Sequence, residues 1–97
     1  MDDIALNDDE QKVLEVLGKL HISKNKNVHE ATIRKKLPQK YQGNLPKTIK
    51  SLHSKGLLRY YRNENYSLTK EGVIMAKTLA EGVIKKQYGD LVILLVV

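Results

Sequence analysis

The sequence predicts an α+β fold in which a short basic helix leads directly into a two-stranded β-hairpin. The helix is indicated by Leu45, Ile49 and Leu52, which recur at the spacing of one helical face with lysines and hydroxyl residues between them. The hairpin is indicated by residues 57–68, where two β-prone runs flank a polar turn. Gly56 separates the two elements and suits the left-handed position that closes a helix. We therefore expect the helix and the hairpin to be joined without a linker.

The residues at the ends of these elements predict the same boundaries. Asn44 is a favourable N-cap residue, and Pro46 is tolerated in the first turn of a helix because no hydrogen bond is needed there. Thr69 can cap a following helix, with Glu71 in its first turn. A helix that runs straight into a two-stranded ribbon is the layout of a winged helix.

Two short motifs point to a family. The run SLHSKGLLR, from Ser51 to Arg59, is followed by YSLTKEG, from Tyr66 to Gly72. Together they resemble the winged helix-turn-helix regulators of prokaryotes and archaea, MarR-like proteins among them. Those proteins carry a leucine, a Lys-Gly-apolar-apolar step, a wing and then Leu-Thr-x-x-Gly. The resemblance covers roughly residues 8–85 and implies an α+β winged helix-turn-helix with a three-helix core and a two-stranded β wing.

The chain is expected to divide into three segments. Residues 1–7 are predicted to form an N-terminal tail and residues 8–69 the winged-helix domain. Residues 70–97 are predicted to form a C-terminal helix and a short apolar terminal strand, which together make a dimerisation element. Asn7 or Asp8 is expected to cap the first helix, whose first turn is rich in acids that favour the positive end of a helix.

The middle of the domain contains the predicted helix-turn-helix. Its first helix is expected over about 29–37, because Pro38 disfavours helical backbone at the residue before it. Residues 39–43 are predicted to be the turn, with Tyr41 in its apolar slot. Val28 is expected to be a short strand or an apolar plug beneath the wing.

Charge is distributed unevenly along the chain. Residues 1–18 hold six acids and one lysine, residues 19–62 hold twelve Lys or Arg and one Glu, and residues 63–97 hold four of each sign. The net charges are therefore −5, +11 and 0, which together give the overall +6. Since the basic block coincides with the predicted helix-turn-helix and wing, we expect a phosphate-binding surface there rather than only a solvated lysine surface.

The resemblance implies that the helix before the wing enters the major groove of DNA. By position, the residues implied to contact the groove are Lys47, Thr48, Lys50 and Ser51. Phosphate contacts are expected from Lys35, Lys36, Lys40 and Lys55, and wing contacts from Arg59, Arg62, Asn63 and Asn65. Because lysine lacks the bidentate fork of arginine, we expect a large salt-sensitive term and modest base specificity.

The predicted C-terminal helix, from about residue 70 to residue 87, carries apolar residues on more than one side, which favours a second partner over simple burial in its own core. The sequence-predicted homodimer interface comprises Ile74, Met75, Leu79, Val83, Ile84, Tyr88, Leu91 and Ile93. The apolar run 91–97 suggests a paired strand, either with its own chain or with a twin.

The cysteine, histidine and carboxylate patterns of the sequence predict neither a metal site nor a catalytic site. There is no cysteine, and the three histidines do not follow metal-ligand spacing, so no metal and no cofactor are expected. No phosphate loop, nucleophile motif or inward carboxylate pair is present, and we predict no enzyme activity. Tyr60 and Tyr66 alternate with core leucines and are expected inside, whereas Tyr61 is expected outside.

The acidic N-terminus lacks the apolar segment of a signal peptide, and no apolar run approaches the roughly 20 residues of a membrane helix. We expect a cytoplasmic protein without membrane contact. The predicted function is sequence-preferring binding of double-stranded DNA by a homodimeric transcriptional regulator. The alternative is a winged helix used for protein–protein contact in a transcription or assembly complex, since fold alone does not separate the two.

Overall fold

The structure is a computed structural model that describes residues 5–88, and over 82–88 it describes the course of the helix only. The described part is an α+β fold with five helices and one three-stranded antiparallel sheet, a layout compatible with a winged helix. In chain order the elements are α1 (Asp8–Lys19), β1 (Val28–His29), α2 (Glu30–Lys36), α3 (Gln39–Gln42), α4 (Leu45–Ser54), β2 (Leu58–Tyr60), β3 (Asn65–Leu68) and α5 (Lys70–Tyr88).

The sheet has one strand more than predicted. Its order is β1-β3-β2, because Val28 pairs with Tyr66 on the free edge of the hairpin. On the other edge, Leu58 pairs with Leu68 and Tyr60 with Tyr66. The expected two-stranded wing is therefore wrong in strand count, although a short strand at Val28 is confirmed. The added strand ties the hairpin to the start of α2.

The predicted turn of the helix-turn-helix is itself helical. Leu37 has an extended backbone (ψ 143°), as expected before Pro38, and this ends α2. The chain then forms the single turn of α3 rather than an open loop. Tyr41 is buried on this turn, which confirms that it fills the apolar slot.

The core lies between α1, α2, α4 and one face of the sheet, and contains no phenylalanine or tryptophan. Its fully buried side chains are mainly leucines and isoleucines, among them Leu14, Leu17, Ile33, Leu45, Leu52, Leu57 and Leu68. Gly56, with φ of +78°, allows the chain to turn from α4 into β2 as predicted. Thr69 caps α5 by accepting a hydrogen bond from the backbone N–H of Gly72 at 3.0 Å.

The C-terminal helix packs against α1 at a glycine. A methyl group at Gly18 would overlap the carbonyl oxygen of Ala76, so the two helices approach closely at this point. Ala76 is only 1% exposed, and Met75 and Leu79 are partly buried against the core. The inner face of α5 therefore belongs to the same core as α1.

The structure describes only part of the predicted dimer interface on α5. Ile74 is 58% exposed, as an interface residue must be in an isolated chain. The side chains of Val83, Ile84 and Tyr88 lie outside the described part of the structure. Leu91, Ile93 and the predicted terminal strand lie outside the described residues altogether.

Candidate nucleic-acid interface

One face of α4 is fully available to solvent. Its core face is formed by Leu45, Ile49 and Leu52, all of which are buried. Lys47 and Lys50 lie on the exposed side. Ser54 completes the same face at the i, i+3, i+7 spacing, which places three residues in one line along the helix. We call Lys47, Lys50 and Ser54 the outward stripe.

Ser54 was not among the predicted DNA contacts, although the spacing of the two lysines would have identified it. Conversely, Thr48 was predicted to border the groove but is only 5% exposed. Thr48 lies one helical turn from Leu45 and Leu52 and packs inward. It is therefore corrected from a groove residue to a packing residue.

The flank of α4 that faces α1 is occupied by internal hydrogen bonds. Ser51 donates its hydroxyl hydrogen to Oε2 of Glu10, and Lys55 Nζ donates to Oε1 of the same carboxylate at 2.8 Å. Lys55 also donates to the backbone oxygen of Ala5 at 2.8 Å. Ser51 and Lys55 were predicted to contact DNA, but the structure commits both to holding α4 against α1.

Three consecutive acids connect the start of α1 to α3 and α4. Residues 8–10, which we call the acidic turn, form the first turn of α1. Asp8 accepts from the Tyr41 hydroxyl at 2.9 Å, and Asp9 accepts from the Asn44 amide at 3.2 Å. Asn44 was predicted to cap α4, but its side chain makes no cap hydrogen bond. The acidic turn thus reaches α3, the start of α4 and, through Glu10, the last turns of α4.

Glu10 is the most enclosed of these acids, with no exposed side-chain surface. Its Oε1 also accepts from the backbone N–H of Asn7, which completes a capping box at the head of α1. Burial alone would raise the pKa of Glu10. The hydrogen bonds from Lys55, Ser51 and Asn7, together with the positive charge of Lys55, outweigh burial and hold the pKa below its usual value. Glu10 is therefore an ionised, structural carboxylate.

The predicted phosphate contacts on α2 and α3 are all at the surface. Lys35, Lys36 and Lys40 are exposed, and the Lys40 Nζ lies 5.1 Å from the centroid of the Tyr41 ring. Arg34 is different, because its guanidinium donates to Glu30 Oε2 at 3.0 Å and to the Gln42 backbone oxygen at 2.8 Å. The three lysines are therefore exposed cations, of which Lys36 lines a cleft with Lys19 and Leu20 beside the end of α1. Arg34 instead braces α2 against α3.

The wing presents two exposed arginines and a tight tip. Arg59 and Arg62 are exposed, and the Arg62 guanidinium lies 5.5 Å from the centroid of the Tyr61 ring. Asn63 and Glu64 at the tip both have φ near +60° (56° and 59°), and the backbone N–H of Asn65 donates to the Arg62 oxygen at 3.1 Å, which closes a tight turn over residues 62–65. The Asn65 amide donates to the backbone oxygens of Arg62 and Asn63, at 3.0 and 3.2 Å. Asn65 was predicted to reach DNA, but its donor group stabilises the tip instead, while Asn63 remains exposed.

An aromatic contact joins the wing to α4. Tyr60 was predicted to be in the core, but it is 50% exposed because it lies at the end of β2, beyond the sheet's contact with the leucine core. One face of its ring stacks on His53 of α4, with centroids 4.3 Å apart and planes 16° apart. Tyr66 is buried as predicted and tilts against Tyr60 at 5.5 Å. The contact fixes the position of the wing relative to the outward stripe.

Tyr66 also connects the sheet to α2. Its hydroxyl donates to Glu30 Oε1 at 2.8 Å, while the other oxygen of Glu30 accepts from Arg34. Burial raises the pKa of the Tyr66 phenol, and the hydrogen bond to the negatively charged Glu30 raises it further. His29, at the start of α2, accepts from the backbone N–H of Ala31 at 3.0 Å and so caps this helix.

Two lysines of α4 have no salt bridge to any acid that the structure describes. Among the side chains that the structure describes, the salt bridges of Lys and Arg join Lys12 and Lys19 to Glu15, Arg34 to Glu30, and Lys55 to Glu10. Lys47 and Lys50 form none of these.

Within the described residues, no cluster of His, Asp or Glu has the grouping of a metal site. In the same part of the chain, no helix combines the length and apolar composition needed to cross a membrane.

The chain matches no protein-family model, and no curated protein or solved structure shows a significant match to it.

Proposed function

We propose that this chain binds double-stranded DNA through α4 and acts as a transcriptional regulator with a winged helix-turn-helix fold. The observation that carries the proposal is the outward stripe, where Lys47 and Lys50 are exposed and form no salt bridge with any side chain that the structure describes. An α-helix of ten residues is about 15 Å long and fits the major groove, which is about 12 Å wide.

The surroundings of α4 support the same proposal. Exposed lysines on α2 and α3 and exposed arginines on β2 and at the wing tip lie on the elements before and after α4 in the chain, and we assign phosphate contacts to them. The stack of His53 on Tyr60 holds the wing next to α4. The acidic turn fixes the opposite flank of α4, so the helix is presented as a rigid element whose orientation does not need to form on binding.

Lysines on the outward stripe act as point charges, and only Ser54 adds a neutral hydrogen-bonding group to it. We therefore assign most of the affinity to phosphate contacts and a modest part to base recognition. If about six phosphates are neutralised, log K should fall against log salt with a slope near −5.

The test replaces Lys47 and Lys50 together by glutamate and measures binding to fluorescent duplex DNA by anisotropy at two salt concentrations. Two lost attractions and two new repulsions are expected to weaken binding by about 100-fold. The matched control is Lys70→Glu with Lys77→Glu, because both residues are exposed on α5 and the change in net charge is the same. Circular dichroism verifies that each variant is folded.

If the α4 variant binds DNA as tightly as the α5 control, the proposal is wrong. In that case α4 would be free for a protein partner, and the same variant should lose that partner instead.

A further inference from the structure

The outer side of α5 borders an apolar groove that the DNA-binding proposal does not use. The groove encloses about 330 Å³ and is lined by Leu6, Gln11, Ile74, Met75, Thr78 and Leu79. Ile74 is 58% exposed at its edge, which is unusual for a branched aliphatic side chain. On its other side, Ile74 borders a second, mainly apolar cleft with Val73 and Lys24. The ridge at Ile74 is therefore apolar on both sides.

The two polar side chains of the groove each donate a hydrogen bond within the chain. The Gln11 amide donates to the backbone oxygen of Leu6 at 3.0 Å, and the Thr78 hydroxyl donates to the backbone oxygen of Ile74 at 2.9 Å. An occupant therefore meets mainly the methyl and methylene groups of Leu6, Ile74, Met75 and Leu79. An aliphatic segment suits this lining, while a charged or strongly hydrogen-bonding ligand does not.

We propose that residues 91–97 of the same chain fill this groove. The segment has the sequence LVILLVV and so supplies aliphatic side chains alone. The α5 part of the lining forms a line along the helix, made of residues 74, 75, 78 and 79, which points toward residue 88. Residues 89 and 90 then connect the helix to the segment. Gly89 and Asp90 are residue types that favour a reversal of the chain.

Residues 91–97 are long enough to reach Ile74. From residue 88 back to residue 74 the helix rises by about 21 Å, at about 1.5 Å per residue. Seven extended residues span about 23 Å, at about 3.3 Å per residue. Residues 91–97 can therefore run antiparallel to α5 from its end to Ile74, with their outer backbone groups open to water.

Because the segment is attached to α5, it should bind the groove of its own chain in preference to the groove of a second copy. A short linker gives a tethered segment an effective concentration in the millimolar range, whereas a second copy competes only at its solution concentration. The same face was assigned to a homodimer from the sequence alone. Occupancy by the chain's own segment withdraws Ile74, Met75 and Leu79 from that interface.

The test uses disulfide trapping, which is clean because the chain contains no cysteine. In the full chain, Ile74→Cys is combined with Val96→Cys, since an antiparallel segment places these positions side by side. A second pair, Thr78→Cys with Leu94→Cys, tests the same register one helical turn away. The matched control combines Lys77→Cys with Val96→Cys, because Lys77 is exposed beside a different cleft, which Gly18 and His21 line.

Each variant is oxidised mildly, its free thiols are counted and its chains are sized on a non-reducing gel. Both groove pairs are expected to lose their thiols at least about 10-fold faster than the control and to remain single chains. A disulfide that joins two chains would overturn the proposal and assign the groove to a second copy. Thiol loss no faster than in the control would also overturn it.

Discussion

Glu10 and Lys55 are 45 positions apart in the chain, and Oε1 of the first lies 2.8 Å from Nζ of the second across the contact of α1 with α4. The carboxylate is buried, whereas the side chain of the lysine is one-third exposed (34%). The Lys55 ammonium group, at the edge of the positive surface, therefore provides the positive charge that stabilises the buried Glu10 carboxylate. Lys55 is held in place as a structural residue and is not free to contact phosphate.

The first prediction concerns acid stability. The pKa of folded Glu10 lies below the ordinary value of 4.5, so its stabilisation is complete above that value and is lost as the pH falls through the folded pKa. We expect the free energy of unfolding of the native chain to fall steeply below about pH 4.5. Glu10→Gln should have a flatter profile in this range, measured by urea denaturation at several pH values.

At neutral pH, Glu10→Gln is expected to lower the free energy of unfolding by about 1–3 kcal/mol, because three charge-assisted hydrogen bonds are weakened. Glu15→Gln serves as the control, since the salt bridges that the structure describes for Glu15 join it to Lys12 and Lys19 on its own helix. That change should cost no more than about 1 kcal/mol. Equal losses in the two variants would show that Glu10 has no special role.

The second prediction follows for DNA binding. In Glu10→Gln, Lys55 loses its ionic partner and becomes available to phosphate, so the salt slope should become steeper by about one. Adding Lys55→Gln to this variant should restore the original slope. Anisotropy titrations at four or more salt concentrations measure both slopes, and an unchanged slope in the single variant would contradict the structural role of Lys55.

The third prediction concerns the contact of α1 with α5. Gly18→Ala should lower the free energy of unfolding by about 1–3 kcal/mol, because the new methyl group meets the Ala76 backbone oxygen and the helices must separate. Gly43→Ala is the matched control, since its φ is −65° and no atom lies within 4 Å of the added group. The control should be neutral or slightly stabilising. Thermal denaturation of both variants measures the difference, and an equal stability of the two would contradict the prediction.

The fourth prediction concerns Tyr66. Its raised pKa means that the neutral phenol is favoured in the fold, so this stabilisation is present below the ordinary tyrosine pKa of about 10 and is lost as the pH rises above it. Spectrophotometric titration should reveal a tyrosine whose ionisation is delayed well above pH 10 and accompanies unfolding. Tyr66→Phe should remove this late step, whereas Tyr61→Phe should leave it unchanged.

Local patterns were sufficient to predict much of this fold. Leu45, Ile49 and Leu52 identified α4, and Gly56 and Thr69 marked its end and the start of α5. These features depend on spacing and backbone conformation within one or two turns. The exposure of Lys47 and Lys50 followed from the same periodicity.

Several of the errors concern contacts between distant segments. Ser51 looks as accessible as Lys50 in a helical projection, and only the approach of Glu10 removes it from the surface. Tyr60 continues the alternation of the strand, but the sheet leaves the core before this residue and His53 covers its ring instead. Asn44 has a capping side chain that Asp9 engages from 35 positions away. No local pattern specifies such partners.

The acidic turn has a consequence for how the chain folds. Translation makes Asp8, Asp9 and Glu10 long before their partners, which follow 33, 35 and 41 to 45 residues later. Contacts of such high sequence separation form late, after the loops between them have closed. The head of α1 should therefore stay hydrated on a nascent polypeptide until α4 has emerged from the ribosome, so that residues 8–10 reach their final contacts only after all of their partners have been made.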